Sequence, residues 1–320
     1  MIEPRTPVTI LVPIYNGSRH IRSGLESIAG MASKYDEILL IDDGSEDDSV
    51  IQINEFARNF QNINFISRKH FGLVDTLNFG IRESANTLIA RADIDDLYSP
   101  HRIQQQVELI ASSANFSAVF SDYRFISENH IDLGILPAAV HPDLVQLSLI
   151  NHQRTPHSSV LFNRDSVMEG GGYLSNDFPA EDLALWIRLS RFSKLGSVPE
   201  VLLNYTINPS GITESSKTIM RMKTSALQRS LLQDLDFDSI LLNLNIMLDT
   251  YSKLPLGDIR RALVLRDLLT LSQMTRDSRF ARFRDFSRLT RRFNLPALAI
   301  PIVGLARSMN RRKNFRLIGN

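Results

Sequence analysis

Two acidic stretches decide the fold of this chain, LLIDDGSEDDS at Leu39–Ser49 and ARADIDDLYSPHRI at Ala90–Ile103. Each begins with a short run of mostly apolar residues and passes at once into a group of aspartates. Short apolar runs that end in Asp, Gly and Ser are typical of buried strands followed by turns. The two stretches therefore predict two strands of one sheet, each with carboxylates at its carboxyl end.

Further strands and helices follow from the spacing of apolar residues around these stretches. We predict strands at 8–14, 37–41, 63–67, 87–92 and 117–121, and helices at 20–31, 49–59 and 72–84. Short strands that alternate with helices indicate βαβ units, so the fold class is α/β with a mostly parallel sheet flanked by helices. From Thr213 to Asn320 the apolar spacing is helical, which predicts an α/β domain at 1–212 and a helical C-terminal region at 213–320.

The composition excludes several classes of protein. The chain has 320 residues, of which 43% are hydrophobic and none is cysteine. It is long enough for a large core, and the lack of cysteine excludes disulfide scaffolds, iron–sulfur clusters, cysteine-ligated zinc and thiol catalysis. We find neither a signal-peptide pattern nor an apolar run that would span a bilayer, so we expect a cytoplasmic protein.

The formal net charge of +1 conceals an asymmetry along the chain. Residues 276–316 hold 12 Lys and Arg against 2 Asp, so the rest of the chain is acidic. Arginines flank the apolar segment Leu295–Ala306, which two prolines interrupt. This basic tail favours peripheral anchoring on an anionic membrane surface, at the inner face of the plasma membrane. A solvated basic helical face with an apolar dimer or core contact is the alternative, whereas nucleic-acid binding has no motif to support it.

Carboxylates cluster at the predicted strand ends, namely Asp42, Asp43, Asp93, Asp95 and Asp96. Ligands of open α/β sheets bind at this edge. Close carboxylates raise one another's pKa, and a divalent cation relieves the repulsion. An all-oxygen set suits Mg²⁺ or Mn²⁺, which commonly bridge to phosphates. The residues therefore predict a nucleotide-phosphate site with a metal, and simple capping or turn formation is the alternative for each group alone.

These motifs, in this order and spacing, resemble those of the family 2 glycosyltransferases, inverting enzymes of GT-A fold that use nucleotide-sugar donors. The resemblance covers roughly residues 7–210, through the two acidic stretches and VPIYNG (Val12–Gly17), LNFGI (Leu77–Ile81), GGYLSNDFPAEDLALWIRL (Gly171–Leu189) and PEVLLNY (Pro199–Tyr205). It implies a catalytic GT-A domain at 1–212, of the kind that builds bacterial polysaccharide or lipopolysaccharide.

For the donor, the resemblance implies a base pocket with Pro13 and Tyr15 as its floor. Asp43 corresponds to the acid that holds the uracil ring, and Asp42 lies beside it. The Asp-x-Asp motif of the family corresponds to Asp93-Ile94-Asp95, where Ile94 replaces the commoner Ala. Asp95 is then the direct metal ligand, and Asp93 contacts the metal or the donor ribose.

For the acceptor, the resemblance implies that Glu181-Asp182 is the family's Glu-Asp pair and that Asp182 is the general base. The sequence departs from the family at Thr206-Ile207-Asn208, where a basic residue and His are often found. Three weaker candidates complete the site. Asp96 follows the acidic motif, His157 is either a structural histidine or an acceptor or diphosphate contact, and Arg91 either pairs with the carboxylates or contacts the diphosphate.

We therefore expect transfer of a sugar, from a UDP-sugar, to a glycan or lipid-linked glycan by metal-assisted single displacement. One base is enough for this reaction, and the metal offsets the charge of the leaving diphosphate. Two alternatives remain open. A nucleotidyltransferase would need a glycine-rich phosphate loop, which VPIYNGSRH lacks. A non-catalytic nucleotide-sugar-binding protein on the same fold would bind without turnover.

Overall fold

The structure is a computed structural model, and it describes residues 5–113, 115–136, 145–149, 155–208 and 216–234. All of these residues belong to one unit, Met1–Asn243. The basic tail at 276–316 and most of the expected helical region lie outside the described residues. The expected boundary at residue 212 therefore stays a prediction.

The N-terminal part forms a parallel half-sheet, as the apolar runs predict. Its central strand β1 (Val8–Ile14) pairs in parallel with β2 (Glu37–Asp42) and β4 (Leu88–Arg91), and β2 pairs in parallel with β3 (Ile63–Ser67). Parallel strands need crossover connections, which here are helical. The helices are α1 (Ile21–Met31), α2 (Ser49–Ala57) and α3 (Leu73–Glu83).

The second half of the sheet mixes both strand directions. Its strands are β5 (Leu97–Tyr98), β6 (Phe116–Ser127), β7 (Asp132–Leu136), β8 (Leu161–Asn163) and β9 (Lys194–Ile207). The order across the nine-stranded sheet is β3-β2-β1-β4-β8-β6-β9-β5, and β7 pairs with β6. The β6–β9 pairing is parallel, whereas β8, β5 and β7 run antiparallel to their neighbours. A tight turn joins β6 to β7, and such a connection permits only antiparallel pairing.

The remaining helices are α4 (Arg102–Ala111), α5 (Val145–Ser148), α6 (Arg164–Glu169), α7 (Glu181–Leu189) and α8 (Lys217–Asp234). Helix α8 is the part of the expected helical region that the structure describes. Within the described residues, no helix is both long and apolar enough to cross a membrane.

A buried polar pair on α4 fixes the strand ends. The guanidinium of Arg102 is fully buried and donates to the carbonyls of Arg91, at 2.8 Å, and Val160, at 3.0 Å. Gln106 donates to the carbonyls of Val119 and Ser159. Buried carbonyls need such donors, so these two side chains hold β4, β6 and the segment before β8 in register with one another.

Candidate active site

The two aspartates after β2 are buried and bind protein groups. Asp42 accepts hydrogen bonds from the Ser45 amide at 3.2 Å and the Ser67 hydroxyl at 2.9 Å. Asp43 accepts from the amides of Phe71 at 3.0 Å and Gly72 at 2.8 Å. Both carboxylates thus hold the end of β3 and the loop that follows it against the end of β2.

An aromatic pair lies beside Asp43. The rings of Tyr15 and His70 are 4.3 Å apart with an angle of 31° between their planes. The Nδ1 atom of His70 lies 3.0 Å from the backbone oxygen of Asp43 and 3.0 Å from its Oδ2. About half of Tyr15 is exposed, and Pro13, two residues earlier, belongs to β1. This surface offers an aromatic face for a planar base, and sequence reasoning had identified Tyr15 but not His70.

Three carboxylates meet after β4. One oxygen each from Asp93, Asp95 and Asp96 lies within 4.8 Å of the other two. In the described part of the chain these three acids form the group that could share one cation, and Asp42 and Asp43 do not belong to it. The sequence predicts that all five acids lie at one edge of the sheet, and the parallel strands β2 and β4 carry them to the same edge. The oxygens of Asp42 and Asp43 are bonded to neighbouring residues and to the loop after β3.

Asp96 is the most strongly held member of the group. It accepts hydrogen bonds from the Ser158 hydroxyl and, at 2.8 Å, from the Thr206 amide. Burial, followed by the charges of Asp95 and Asp93, raises the pKa of Asp96 well above its usual range. Asp96 therefore joins the acidic motif to the end of β9, and its carboxylate oxygens are already engaged.

Asp93 is held through both its backbone and its side chain. Its amide donates to the Tyr98 hydroxyl, which in turn donates to the Asp93 carbonyl at 3.1 Å. Its carboxylate forms a salt bridge with Arg91, which is buried. Burial raises the pKa of Asp93; the charge of Arg91 opposes this rise and the charge of Asp95 adds to it. Arg91 is thus the partner of the acidic motif, one of its two predicted roles.

The acidic edge fits a divalent cation. Its donors are all carboxylate oxygens, and burial, together with the charges of the neighbouring aspartates, raises the pKa of Asp93 and Asp96. Asp95 is partly exposed, and its carboxylate lies 3.4 Å from the Asn208 amide nitrogen. Asp95 therefore has the most free coordination capacity, and Asn208, at the end of β9, is a neighbour that sequence reasoning did not assign. Ile94 lies between Asp93 and Asp95 in the sequence, and its side chain packs in the core.

The Glu-Asp pair forms the first turn of α7. Trp186 and the other apolar residues of α7 are buried, so the helix is fixed in place. Asp182 is partly exposed, and its Oδ1 accepts a hydrogen bond from the Leu183 amide at 2.6 Å. Glu181 is only 5% exposed, and its Oε2 atom has no hydrogen-bond partner among the described residues. Burial, with the charge of Asp182, raises the pKa of Glu181 to about 7.

A buried tyrosine lies between the acidic edge and α7. The Tyr173 hydroxyl lies 2.7 Å from Nε2 of His157. Burial raises the pKa of Tyr173 well above its usual range; the charge of Arg91 opposes this rise, and those of Asp182, Glu181 and Asp93 add to it. The Tyr173 ring also packs against Trp186 of α7, with 6.5 Å between the ring centroids. His157 is partly buried and paired with Tyr173, a contact that suits its structural role, and its acceptor or diphosphate role stays a prediction.

The glycine loop before Tyr173 is clamped from two sides. Asn78 of α3 donates to the Tyr173 carbonyl at 2.8 Å and accepts from its amide at 2.9 Å. Arg188 of α7 donates to the carbonyls of Gly170 and Gly172 and to the Asp177 carboxylate. Gly172 has φ +66°, and a Cβ there would lie 2.8 Å from Asn78 Oδ1. The loop therefore needs glycine for its backbone and for its contact with Asn78.

Comparison with known families identifies the chain. The model of "Glycosyl transferase family 2" matches residues 9–171, which is just over half of the sequence. The chain belongs to glycosyl transferase family 2. The match covers the two acidic stretches and the strands that carry them, and it ends within the glycine loop. The Glu-Asp pair and α8 lie beyond it.

Curated glycosyltransferases are similar to the chain over part of their length. An uncharacterized glycosyltransferase of Haemophilus influenzae is 26% identical over 215 residues, 63% of this chain and 65% of that protein. The Escherichia coli UDP-Gal:alpha-D-GlcNAc-diphosphoundecaprenol beta-1,3-galactosyltransferase is 27% identical over 188 residues, 58% of this chain and 67% of that protein. The chain spans about two thirds or less of the length of these and other curated relatives.

Solved structures of glycosyltransferases share the fold. The mannosyltransferase PcManGT from Pyrobaculum calidifontis, in complex with GDP-Man and Mn²⁺, aligns with a TM-score of 0.57 and 16% identity, covering 94% of this chain and 87% of that one. S. aureus TarS 1-349 with UDP-GlcNAc aligns with a TM-score of 0.57 and 14% identity, covering 89% of this chain and 92% of that one. The family 2 chain described here therefore has the GT-A fold that its sequence predicted.

Proposed function

We propose that this protein is an inverting glycosyltransferase that moves a sugar from a UDP-sugar to a glycan or lipid-linked glycan. One observation carries the proposal. The Tyr173 ring packs against Trp186 of α7, with 6.5 Å between the ring centroids, and its hydroxyl lies 2.7 Å from His157, whose neighbour Ser158 donates to Asp96. This chain of contacts supports a single site for the candidate metal ligands and the candidate base, as a direct displacement requires.

The donor side of the site uses the ends of β1, β2 and β4. Tyr15 and His70 would stack on the base, and Asp43 would hold the loop that carries His70. Asp95, with Asp93, would hold a Mn²⁺ or Mg²⁺ ion. When bound, such an ion acts as a Lewis acid that stabilises the leaving diphosphate. Arg91 forms an ion pair with Asp93 and offsets part of the negative charge of the edge.

The acceptor side uses the first turn of α7. Asp182 would take the proton of the acceptor hydroxyl. The acceptor oxygen would then form a bond to the anomeric carbon of the donor sugar, while the bond from that carbon to the diphosphate oxygen breaks. One base suffices, and the configuration at the anomeric carbon inverts. Asp182 lies in the first turn of α7, and the buried apolar residues of this helix hold it in place.

The relatives support the substrate class. The E. coli relative is named for a UDP-Gal donor and a diphosphoundecaprenol-linked acceptor, and TarS was solved with UDP-GlcNAc. We therefore propose a UDP-sugar and a lipid-linked or polymeric glycan for this chain. A lipid-linked acceptor is located at a membrane, and the basic tail at 276–316 would bring the enzyme to the anionic inner face.

The test combines binding with turnover. UDP and a panel of UDP-sugars are titrated calorimetrically with Mn²⁺, and UDP release is measured for the wild type, Asp95→Ala, Asp182→Asn and the exposed control Asp132→Asn. We expect Asp95→Ala to weaken the Mn²⁺-dependent binding of UDP, and Asp182→Asn to bind UDP normally but to lose at least about a hundredfold in turnover. Asp132→Asn should behave as the wild type.

Two results would contradict the proposal. Full turnover in Asp95→Ala or Asp182→Asn would remove the assigned roles. Binding of UDP-sugars by the wild type without any turnover, with acceptor glycans present, would instead identify a non-catalytic binding protein.

A further inference from the structure

The turn that precedes the candidate base contains two backbone carbonyls that require hydrogen-bond donors. A 3-10 turn at Ser175–Asp177, followed by Phe178 and Pro179, leads directly into α7. The Ala180 amide donates to the Asp177 carbonyl at 2.9 Å. The carbonyls of the adjacent residues, Asn176 and Phe178, need donors of their own. Backbone carbonyls outside regular structure need donors. The position of the first turn of α7 therefore depends on what satisfies these two carbonyls.

A lysine on α8 supplies both donors. The Nζ atom of Lys223 donates to the carbonyls of Asn176 and Phe178, the latter at 2.7 Å. An ammonium group has three donors, so a single Lys223 side chain is enough for both carbonyls. Arg188 holds the same turn from the other side through Asp177. The turn is thus fixed between a cation of α7 and a cation of α8.

The packing of α8 keeps this lysine in place. Thr224 and Leu231 lie on the buried face of α8, and Gln228 lies 3.4 Å from the Leu149 carbonyl. Arg221, two positions before Lys223, is exposed. Lys223 therefore belongs to the inner side of the helix, and Arg221 provides a cation on the same helix that points to solvent.

We propose that Lys223 is a positioning residue, which makes α8 part of the acceptor side of the active site. The proposal rests on the proposed role of Asp182 as base. It goes beyond that role because Lys223 lies after residue 171, where the family match ends. A helix outside the shared segment would then set the placement of the base, and with it the efficiency of transfer.

The experiment uses the full chain with Mn²⁺ and the UDP-sugar that gives the highest UDP release. The variants are Lys223→Met, which keeps the apolar stem, Lys223→Arg, which keeps the donors, and the matched control Arg221→Met. Displacement of a reacting group by about 1 Å costs up to about a hundredfold in rate. We expect Lys223→Met to lower kcat by about tenfold to a hundredfold, with donor KM and UDP affinity within about twofold of wild type.

Lys223→Arg should recover most of the lost kcat, and Arg221→Met should match the wild type. Hydrogen exchange gives a second readout that needs no turnover. In Lys223→Met the amides of 176–182 should exchange at least about fivefold faster than in the wild type, while those of β1 do not change. If Lys223→Met fails to fold, Lys223→Gln replaces it in both measurements.

The possible failures are distinguishable. A wild type without turnover on any nucleotide sugar would overturn the proposed function, and hydrogen exchange would still decide whether Lys223 holds the turn. Wild-type kcat in Lys223→Met, or an equal loss in Arg221→Met, would overturn the positioning role. A loss confined to UDP affinity would also overturn it, because that would place the effect on the donor side.

Discussion

Tyr173 and His157 form a hydrogen bond, with 2.7 Å between the hydroxyl oxygen and Nε2, and its direction follows from the protonation of the two side chains. Burial, with the charge of Arg91, lowers the pKa of His157 well below its ordinary value, so the ring is neutral at pH 7. Burial raises the pKa of Tyr173, so the phenol keeps its proton. Tyr173 therefore donates, and Nε2 of His157 accepts.

Loss of this donor should destabilise the protein. Tyr173→Phe leaves Nε2 of the partly buried His157 without its partner, which costs about 1–3 kcal/mol of unfolding free energy. Urea denaturation of Tyr173→Phe and of the control Tyr35→Phe, an exposed tyrosine, measures the difference. Equal stability of the two variants would mean that the bond contributes nothing.

The lowered pKa of His157 predicts a loss of stability in acid. Below pH 6.5 the histidine is protonated in the unfolded chain but not in the folded protein, so the unfolded state binds more protons. The unfolding free energy therefore decreases as the pH is lowered. Replacement by Gln, which does not titrate, should flatten this part of the curve. The measurement is the difference between wild type and His157→Gln from pH 7.5 to 5, and a constant difference would refute the assignment.

Glu181 predicts the opposite slope. Its pKa in the folded protein, about 7, lies above the ordinary value of 4.5, so the folded protein keeps a proton that the unfolded chain releases. This contribution to stability is fully present below pH 4.5 and is lost as the pH rises through 7, over a range of the order of 3 kcal/mol. Relative to Glu181→Gln, the wild type should therefore lose stability between pH 4.5 and 7. A difference that is flat, or that grows with pH, would contradict the raised pKa.

Two glycines of α1 provide a matched test of the acidic edge. A Cβ at Gly24 would lie 2.0 Å from the Ile94 carbonyl, whereas one at Gly30 would meet nothing within 4 Å. Gly24→Ala should therefore displace the Asp93–Asp95 segment, cost about 1–3 kcal/mol and weaken Mn²⁺ binding in calorimetry. Gly30→Ala should leave Mn²⁺ binding unchanged and stabilise the helix by about 0.5–1 kcal/mol. Similar Mn²⁺ affinities in both variants would show that the close approach does not hold the edge in place.

The aromatic pair beside Asp43 predicts a contribution to base binding. Removal of the ring in His70→Ala eliminates its contact with Tyr15 and half of the aromatic face. Aromatic pairs contribute about 0.5–1.5 kcal/mol, so UDP affinity should fall by up to about tenfold. Calorimetry with UDP and Mn²⁺ compares this variant with His101→Ala, an exposed histidine elsewhere. An unchanged affinity for UDP in His70→Ala would exclude the pair as the base platform.

The sequence predicted the parallel half of the fold well, because strands buried on both faces are continuous apolar runs. The observed bounds of β1 and β3 are those predicted, and α1 to α3 agree within two residues at either end. The second half was not predicted in detail. Strands β5 and β8 have only two and three residues, and their pairing depends on distant partners, with no local pattern to reveal it.

The site was predicted to a similar extent. The grouping of Asp93, Asp95 and Asp96 followed from their position after a strand, and the structure confirms it. His70 follows β3 in the same way, so the rule used for the aspartates would have found it. Lys223 could not be found, because its partners are backbone carbonyls more than 40 residues away and no residue pattern encodes such a contact.

The bond from the Thr206 amide to Asp96 joins positions 110 residues apart and limits how this protein can be recombined. A polypeptide that stopped at residue 171 would keep every carboxylate of the acidic edge, yet it would leave Asp96 buried without its backbone donor. Chimaeras that exchange acceptor preference between relatives should therefore place their junction after β9. An exchange made at residue 171, where the family match ends, would separate Asp96 from the strand that donates a hydrogen bond to it.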